Sequence, residues 1–197
     1  VSESHNKANI NRTHDQSFEE LRRIRESFPE LQLCIGMATT FGCPFEGIPD
    51  LDKVLRFVER IRSCDVDTVY LADTIGIADP AQVRRTVKSI IERFPDTKMQ
   101  VHIHDTRGMG LVNTLAAIEA GVDTVQSTLG GLGGCPFAPG ASGNTATEDL
   151  VYMLQRMGYD TGIDFGRLLA LSKEQHAEID GIYSGHQMNI AAKSPCC

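Results

Sequence analysis

Long hydrophobic runs are missing from this 197-residue chain. No apolar stretch can span a bilayer, and the opening Val1-Ser2-Glu3-Ser4-His5 has neither the basic end nor the apolar core of a signal peptide. Runs of basic residues are missing too. With a net charge of -7, this argues against phosphate backbones and acidic membrane surfaces, so neither nucleic acid nor a membrane is expected as a partner. A disulfide framework is likewise absent. Cys34 and Cys64 lie in apolar or helical surroundings, Cys43 and Cys135 each precede proline in a loop, and Cys196 and Cys197 end the chain side by side. Reduced thiols and an intracellular location are the simpler expectation. An initiator methionine is also lacking, which suggests a piece of a longer protein.

What is present alternates. Residues 31–39, 68–73, 99–105 and 124–129 are rich in Val, Ile, Leu or Thr, meet glycine or proline within a few residues, and are separated by helical patterns. That is the order of βαβ units on a parallel sheet. Ser17 and Glu20 offer a capping box to a first helix with Phe18, Leu21, Ile24 and Phe28 on one stripe. Asp50 opens a second helix, whose apolar face is Leu51, Val54, Leu55, Val58 and Ile61. Asp79 and Pro80 open a third, and a fourth runs from Gly110 to Ala120 and stops at Gly121. Thr145 and Glu148 offer another capping box, to a helix ending at Gly158, and a last helix covers residues 164–179. Residues 1–180 read as one domain and 181–197 as a C-terminal tail.

Two echoes fall in loops after strands. Asp73-Thr74-Ile75-Gly76 matches Asp105-Thr106-Arg107-Gly108, and Gly42-Cys43-Pro44-Phe45 matches Gly134-Cys135-Pro136-Phe137. A (β/α)8 TIM barrel builds its active site from such loops, and so does an open doubly wound sheet. A complete barrel takes on the order of 250 residues, so on the barrel reading this α/β chain is a C-terminal half of about four βα units. Half a barrel has two raw sheet edges, which predicts aggregation or dimerisation of the chain alone.

The residues that carry chemistry cluster between Val101 and Glu148. In a strand, positions i and i+2 share a face, so His102 and His104 can both approach one cation. Read alone, such a pair is about as often two hydrogen-bonded strand histidines. Asp105, Cys135, Asn144 and Glu148 follow around an unusually glycine-rich loop.

That loop, Gly130-Gly131-Leu132-Gly133-Gly134-Cys135-Pro136-Phe137 continuing to Asn144, resembles the 3-hydroxy-3-methylglutaryl-CoA lyases of the DRE-TIM metallolyase group. So do Ser2-Glu3, Asn9-Ile10-Asn11, Gly42 to Gly47, Asp73-Thr74-Ile75-Gly76 and Thr147-Glu148-Asp149. Acyl-CoA-condensing synthases of the group, such as isopropylmalate synthase, share the histidine strand but carry a shorter glycine-containing loop. The resemblance implies a TIM barrel that cleaves 3-hydroxy-3-methylglutaryl-CoA, or a close 3-hydroxyacyl-CoA, to acetyl-CoA and acetoacetate. It implies an acyl-CoA substrate, a homodimer, and a cytoplasmic or, in a eukaryote, mitochondrial-matrix location. It also implies a divalent cation, Mg²⁺ or Mn²⁺, held by His102, His104 and Asn144, a donor set that does not select zinc strongly.

The same resemblance makes Cys135 the proton donor to the product enolate, whereas without the flanking motif it reads as a thiol that only packs. It gives His102 the substrate hydroxyl proton and makes Asp73 a residue that orients this relay or caps its own turn. Glu148 is a catalytic glutamate or the second half of a capping box, and Asp105 a partner of the histidines. Arg107 stands where these lyases usually carry an aromatic residue, and Gln126 where an acidic one is common; both bear on acyl specificity. The family's Arg-Asp pair, after the first barrel strand, has no counterpart in these residues. A related acyl synthase or aldolase, and a truncated non-catalytic half-barrel, are the alternatives.

Overall fold

Alternating apolar residues form four parallel strands in the computed structural model, which describes residues 1–138 and 143–190. They are β1 (Cys34–Met37), β2 (Thr68–Asp73), β3 (Lys98–Ile103) and β4 (Thr124–Gln126), paired in sequence order. On one face Val69, Leu71, Val101 and Ile103 are buried against Val54, Val58 and Ile61 of α3 (Leu51–Arg62). Val83, Val87 and Ile90 of α4 (Pro80–Arg93) and Ala116 and Ala117 of α5 (Gly110–Glu119) complete the core. Burial of each Val, Leu or Ile side chain contributes about 1.5–3 kcal/mol, so this layer is a large stabilising contribution.

The opposite face is polar and half-exposed: Tyr70, Gln100, His102 and Gln126 stand on it. Ala72 is in register with His102, and His102 with Gln126. Gln126 Nε2 donates to Gln100 Oε1 at 2.9 Å, which aligns the two amides beside the histidine. Tyr70 lies over Gly36, where an added Cβ would stand 2.2 Å from its ring. Among the described residues β1 and β4 each have one neighbour in the sheet and so present an open edge.

Most expected elements form, with shifted ends. β3 stops at Ile103 and β4 at Gln126, both earlier than the apolar pattern suggested. The polar run near the start folds as α1 (Glu3–Ile10), capped by Ser2, whose Oγ accepts the His5 N–H. This helix has no apolar stripe to betray it; contacts bury Val1, Ser2 and His5 instead. α2 (His14–Ser27) begins at Thr13, not Ser17, because Thr13 and Gln16 form the reciprocal capping box. α6 (Thr147–Arg156) has Ala146 as its N-cap, so the expected box of Thr145 and Glu148 does not form. The Thr145 hydroxyl instead donates to the Ile103 carbonyl. α7 (Phe165–Glu178) is capped by Asp164 as expected.

The four described cysteines are free, with Cys34 exposed on β1. Cys196 and Cys197 and loop residues 139–142 lie outside the described residues. Among the described residues no helix is long and apolar enough to cross a membrane. The early part of the expected tail packs against the domain, with Met188 buried.

Candidate active site

The strand periodicity brings the two histidines together. His102 sits on β3 and His104 just beyond it, their ring centroids 5.0 Å apart and their Nε2 atoms 3.1 Å apart. Two cis ligands at about 2.1 Å from one octahedral cation would stand about 3 Å apart, so the spacing suits shared coordination. It equally suits one N–H···N hydrogen bond between neutral rings. Both Nδ1 atoms are buried without a partner among the described residues. Burial pushes the His102 pKa down; burial together with the charge of His102 pulls His104 down to about 4. Both rings are thus neutral at pH 7 and present lone pairs.

Asn144 reaches the pair through its backbone, in an isolated antiparallel bridge with His104. Its Nδ2 donates to the Leu132 carbonyl at 2.9 Å, which commits the amide nitrogen and leaves Oδ1 as the free acceptor. The loop closes on itself here: Gly143 N–H donates to the Gly133 carbonyl, and Asp105 N–H to that of Gly143. Gly133 has φ +129°, and a Cβ there would lie 2.6 Å from Asn144 Nδ2, so only glycine fits beside this amide.

Cys135 is half-buried in the same loop, and its sulfur makes no hydrogen bond among the described residues. Next to it Phe137 packs on His5 of α1, centroids 4.5 Å apart, and edge-on to Phe45, at 6.0 Å. The two Gly-Cys-Pro-Phe loops therefore meet through their phenylalanines.

Three acidic residues expected at the site make no hydrogen bond to the histidines among the described residues and bond elsewhere. Asp73 is 0% exposed and accepts from the Ile77 and Ala78 amides at 3.0 and 3.1 Å. It is in register with Ile103, one residue from His102 and therefore on the alternate face of the sheet. Asp105 accepts from the Gly110 N–H at 2.6 Å and so covers the start of α5. Burial raises the pKa of both carboxyls. The repeated Asp-Thr-x-Gly motif is thus a backbone turn, which Asp73 ties to the Ile77-Ala78 segment before α4 and Asp105 to the first residue of α5. Glu148, also 0% exposed, accepts from the Gly130 N–H at 3.0 Å and the Ser172 hydroxyl at 2.9 Å. It holds the root of the glycine-rich loop.

Arg107 donates to the Ile75 and Gly76 carbonyls, bracing the Asp73 turn. Among the described residues no three His, Cys, Asp or Glu side chains converge to hold a metal, and no carboxylate joins the two imidazoles in such a group.

The sequence reading missed the support beneath the loop. Ser184 and Gly185 donate their N–H groups to the Gly130 carbonyl, and Gly133 donates to Ile182. The Ser184 hydroxyl donates to the Asn144 carbonyl at 2.7 Å. Buried Asp149 accepts from the His186 and Gln187 amides and pairs with His186 Nδ1 at 2.9 Å. No periodicity marks this segment; its small residues, Ser184 and Gly185, were the only cue.

A family model described as HMGL-like matches residues 1–174. The hydroxymethylglutaryl-CoA lyase YngG of Bacillus subtilis is 39% identical over 175 residues, spanning 88% of this chain and 58% of that protein. The (R)-citramalyl-CoA lyase of Chloroflexus aurantiacus is also 39% identical, over 174 residues, 87% of this chain and 55% of that one. A solved HMG-CoA lyase from Acinetobacter baumannii, in complex with coenzyme A and 3-methylmalate, superposes with a TM-score of 0.86 at 41% identity, covering 96% of this chain and 65% of that one. The chain therefore spans little more than half the length of the curated relatives it matches.

Proposed function

The chain belongs to the HMGL-like family, and from that premise we propose that it forms the C-terminal half of a (β/α)8 barrel lyase, with residues 1–180 in the barrel. The reaction is a retro-Claisen cleavage of 3-hydroxy-3-methylglutaryl-CoA to acetyl-CoA and acetoacetate. The observation that carries the reading is the convergence of two neutral imidazoles, Nε2 to Nε2 at 3.1 Å, on the strand end to which the glycine-rich loop is bridged.

His102, His104 and Asn144 Oδ1 would hold Mg²⁺ or Mn²⁺. A bound divalent cation supplies Lewis acidity, stabilising negative charge on the substrate's hydroxyl oxygen. His102 would take the tertiary hydroxyl proton at Nδ1, the ring nitrogen that coordination through Nε2 leaves over and that has no partner among the described residues. The carbon–carbon bond breaks, its electron pair passing to the enolate of acetyl-CoA as the ketone of acetoacetate forms. The Cys135 thiol gives its proton to the enolate carbon, and the thiolate takes up in return the proton that His102 accepted, which resets both groups. The glycines beside Cys135 let the loop close over the substrate and exclude water. Asp73, Asp105 and Glu148 act at a distance, by fixing the turns and the loop that carry these groups.

The carboxylate ligand that this set lacks, and an arginine to stabilise the oxyanion, come on this reading from a preceding half of the barrel. The open edges of β1 and β4 would be closed by that half, and homodimerisation would follow in the complete protein. A second substrate is favoured by one observation: identity to the citramalyl-CoA lyase equals that to the hydroxymethylglutaryl-CoA lyase. Arg107 and Gln126, at the mouth, are the residues that would distinguish the acyl groups.

The test expresses the chain with whatever is encoded upstream of Val1 and follows acetoacetate release from hydroxymethylglutaryl-CoA, pyruvate release from citramalyl-CoA, and condensation with 2-oxo acids. Metal-dependent cleavage lost in Cys135→Ala supports the reading. Condensation without cleavage would make the protein a synthase. A start codon immediately before Val1, with metal-independent behaviour, would refute the half-barrel site.

A further inference from the structure

The segment at residues 182–188 lies beyond the stretch the family model matches and runs under the glycine-rich loop. Four of its groups bond to that loop. Ile182 O accepts from Gly133, the Ser184 and Gly185 amides converge on the Gly130 carbonyl, and the Ser184 hydroxyl reaches the Asn144 carbonyl at 2.7 Å. The loop is shaped to receive this hydroxyl. Gly131 has φ +66°, and a Cβ there would stand 1.8 Å from Ser184 Oγ and 2.9 Å from the Asn144 carbonyl. The far end of the segment is pinned by the Asp149 carboxylate, which takes the amides of His186 and Gln187, and by buried Met188.

Asn144 is thereby gripped from two directions. Its side-chain nitrogen is held by Leu132, and its main-chain carbonyl by Ser184. A residue in a glycine-rich loop has little local structure to fix its direction, since glycine neighbours leave the backbone many conformations. We propose that Ser184 is a positioning residue for Asn144, and that residues 182–188 form a strap that sets where the Asn144 amide oxygen points relative to His102 and His104. The proposal rests on the reading of Asn144 as a metal ligand. It concerns a side chain that touches neither metal nor substrate but orients one that does, a role for which loss of the hydrogen bond typically costs 10–100-fold in metal affinity.

The test compares the full protein with Ser184→Ala, Ser184→Thr and Asn144→Ala, measuring Mn²⁺ affinity by calorimetry and amide exchange at Gly131, Gly133 and Gly143. Ser184→Ala should weaken Mn²⁺ binding by about tenfold and speed exchange of those glycines, with exchange in β2 and α4 unchanged. Ser184→Thr, which keeps the hydroxyl, should restore both. Wild-type affinity and exchange in Ser184→Ala would overturn the proposal, and so would an equal loss in Ser184→Thr, since shape and not the hydroxyl would then matter. If Asn144→Ala binds Mn²⁺ as tightly as the wild type, the ligand reading fails, and loop exchange alone decides whether the strap positions Asn144.

Discussion

Replacing Glu148 with alanine removes the acceptor at the root of the glycine-rich loop, and the cost follows from what is stranded. The Gly130 N–H and the Ser172 hydroxyl donate to it at 3.0 and 2.9 Å, and both Glu148 and Ser172 are 0% exposed. A buried donor left without a partner costs about 1–3 kcal/mol, and the Ser172 hydroxyl can rotate toward another acceptor where the amide cannot. The two donors and the vacated volume together predict a loss of about 3–5 kcal/mol. In a chain of this size that is a fall of about 6–20 °C in Tm. Glu148→Gln keeps one acceptor of the same shape and should lose only about 1 kcal/mol. Urea unfolding reads both as shifts of the midpoint at constant slope. A Glu148→Ala protein within about 0.5 kcal/mol of the wild type, the range of ordinary surface substitutions, would refute the claim that this carboxylate holds the loop.

The histidine pair predicts a pH dependence. His104 titrates near 6.5 unfolded and about 4 folded, so the unfolded chain binds more protons between those values. Stability is therefore full above pH 6.5 and declines as pH falls toward 4, and urea midpoints of His104→Asn should show a shallower decline across that window. Gly131→Ala forces a side chain into a left-handed conformation against Ser184 and should cost at least the roughly 1–2 kcal/mol of that backbone region, read as a lowered Tm. Phe137→Ala removes two ring contacts of about 0.5–1.5 kcal/mol each, so alkylation of Cys135 by iodoacetamide should quicken by about fivefold or more. Arg107→Ala frees the Ile75 and Gly76 carbonyls and should alter the ratio of hydroxymethylglutaryl-CoA to citramalyl-CoA cleavage; an unchanged ratio removes Arg107 from specificity.

Where one local rule acted alone, the chain was legible. Asp79 followed by Pro80 marked the start of α4 because a cap and a fixed φ agree there, and the spacing of His102 and His104 placed both rings on one side because strand periodicity has no competitor. Where two local solutions competed, the reading missed. Thr13 with Gln16 and Ser17 with Glu20 are both capping boxes on paper, and the chain uses the first. Glu148 fits a box with Thr145 but finds deeper partners in Gly130 and Ser172, which lie far from it in sequence. α1 and the strap under the loop were hidden for a related reason: neither has an apolar period, and both are held by long-range bonds such as Ser184 to Asn144.

The central claim is that His102 and His104 share one divalent cation. Mn²⁺ bound to the full protein offers a direct test, because pulsed electron paramagnetic resonance detects ligand nitrogen through its coupling to the metal's unpaired electrons. The account predicts couplings from two imidazoles in the wild type, from one in His104→Ala, and from none in the double variant His102→Ala/His104→Ala. Mn²⁺ bound without nitrogen coupling, or with the same coupling in the double variant, would contradict it.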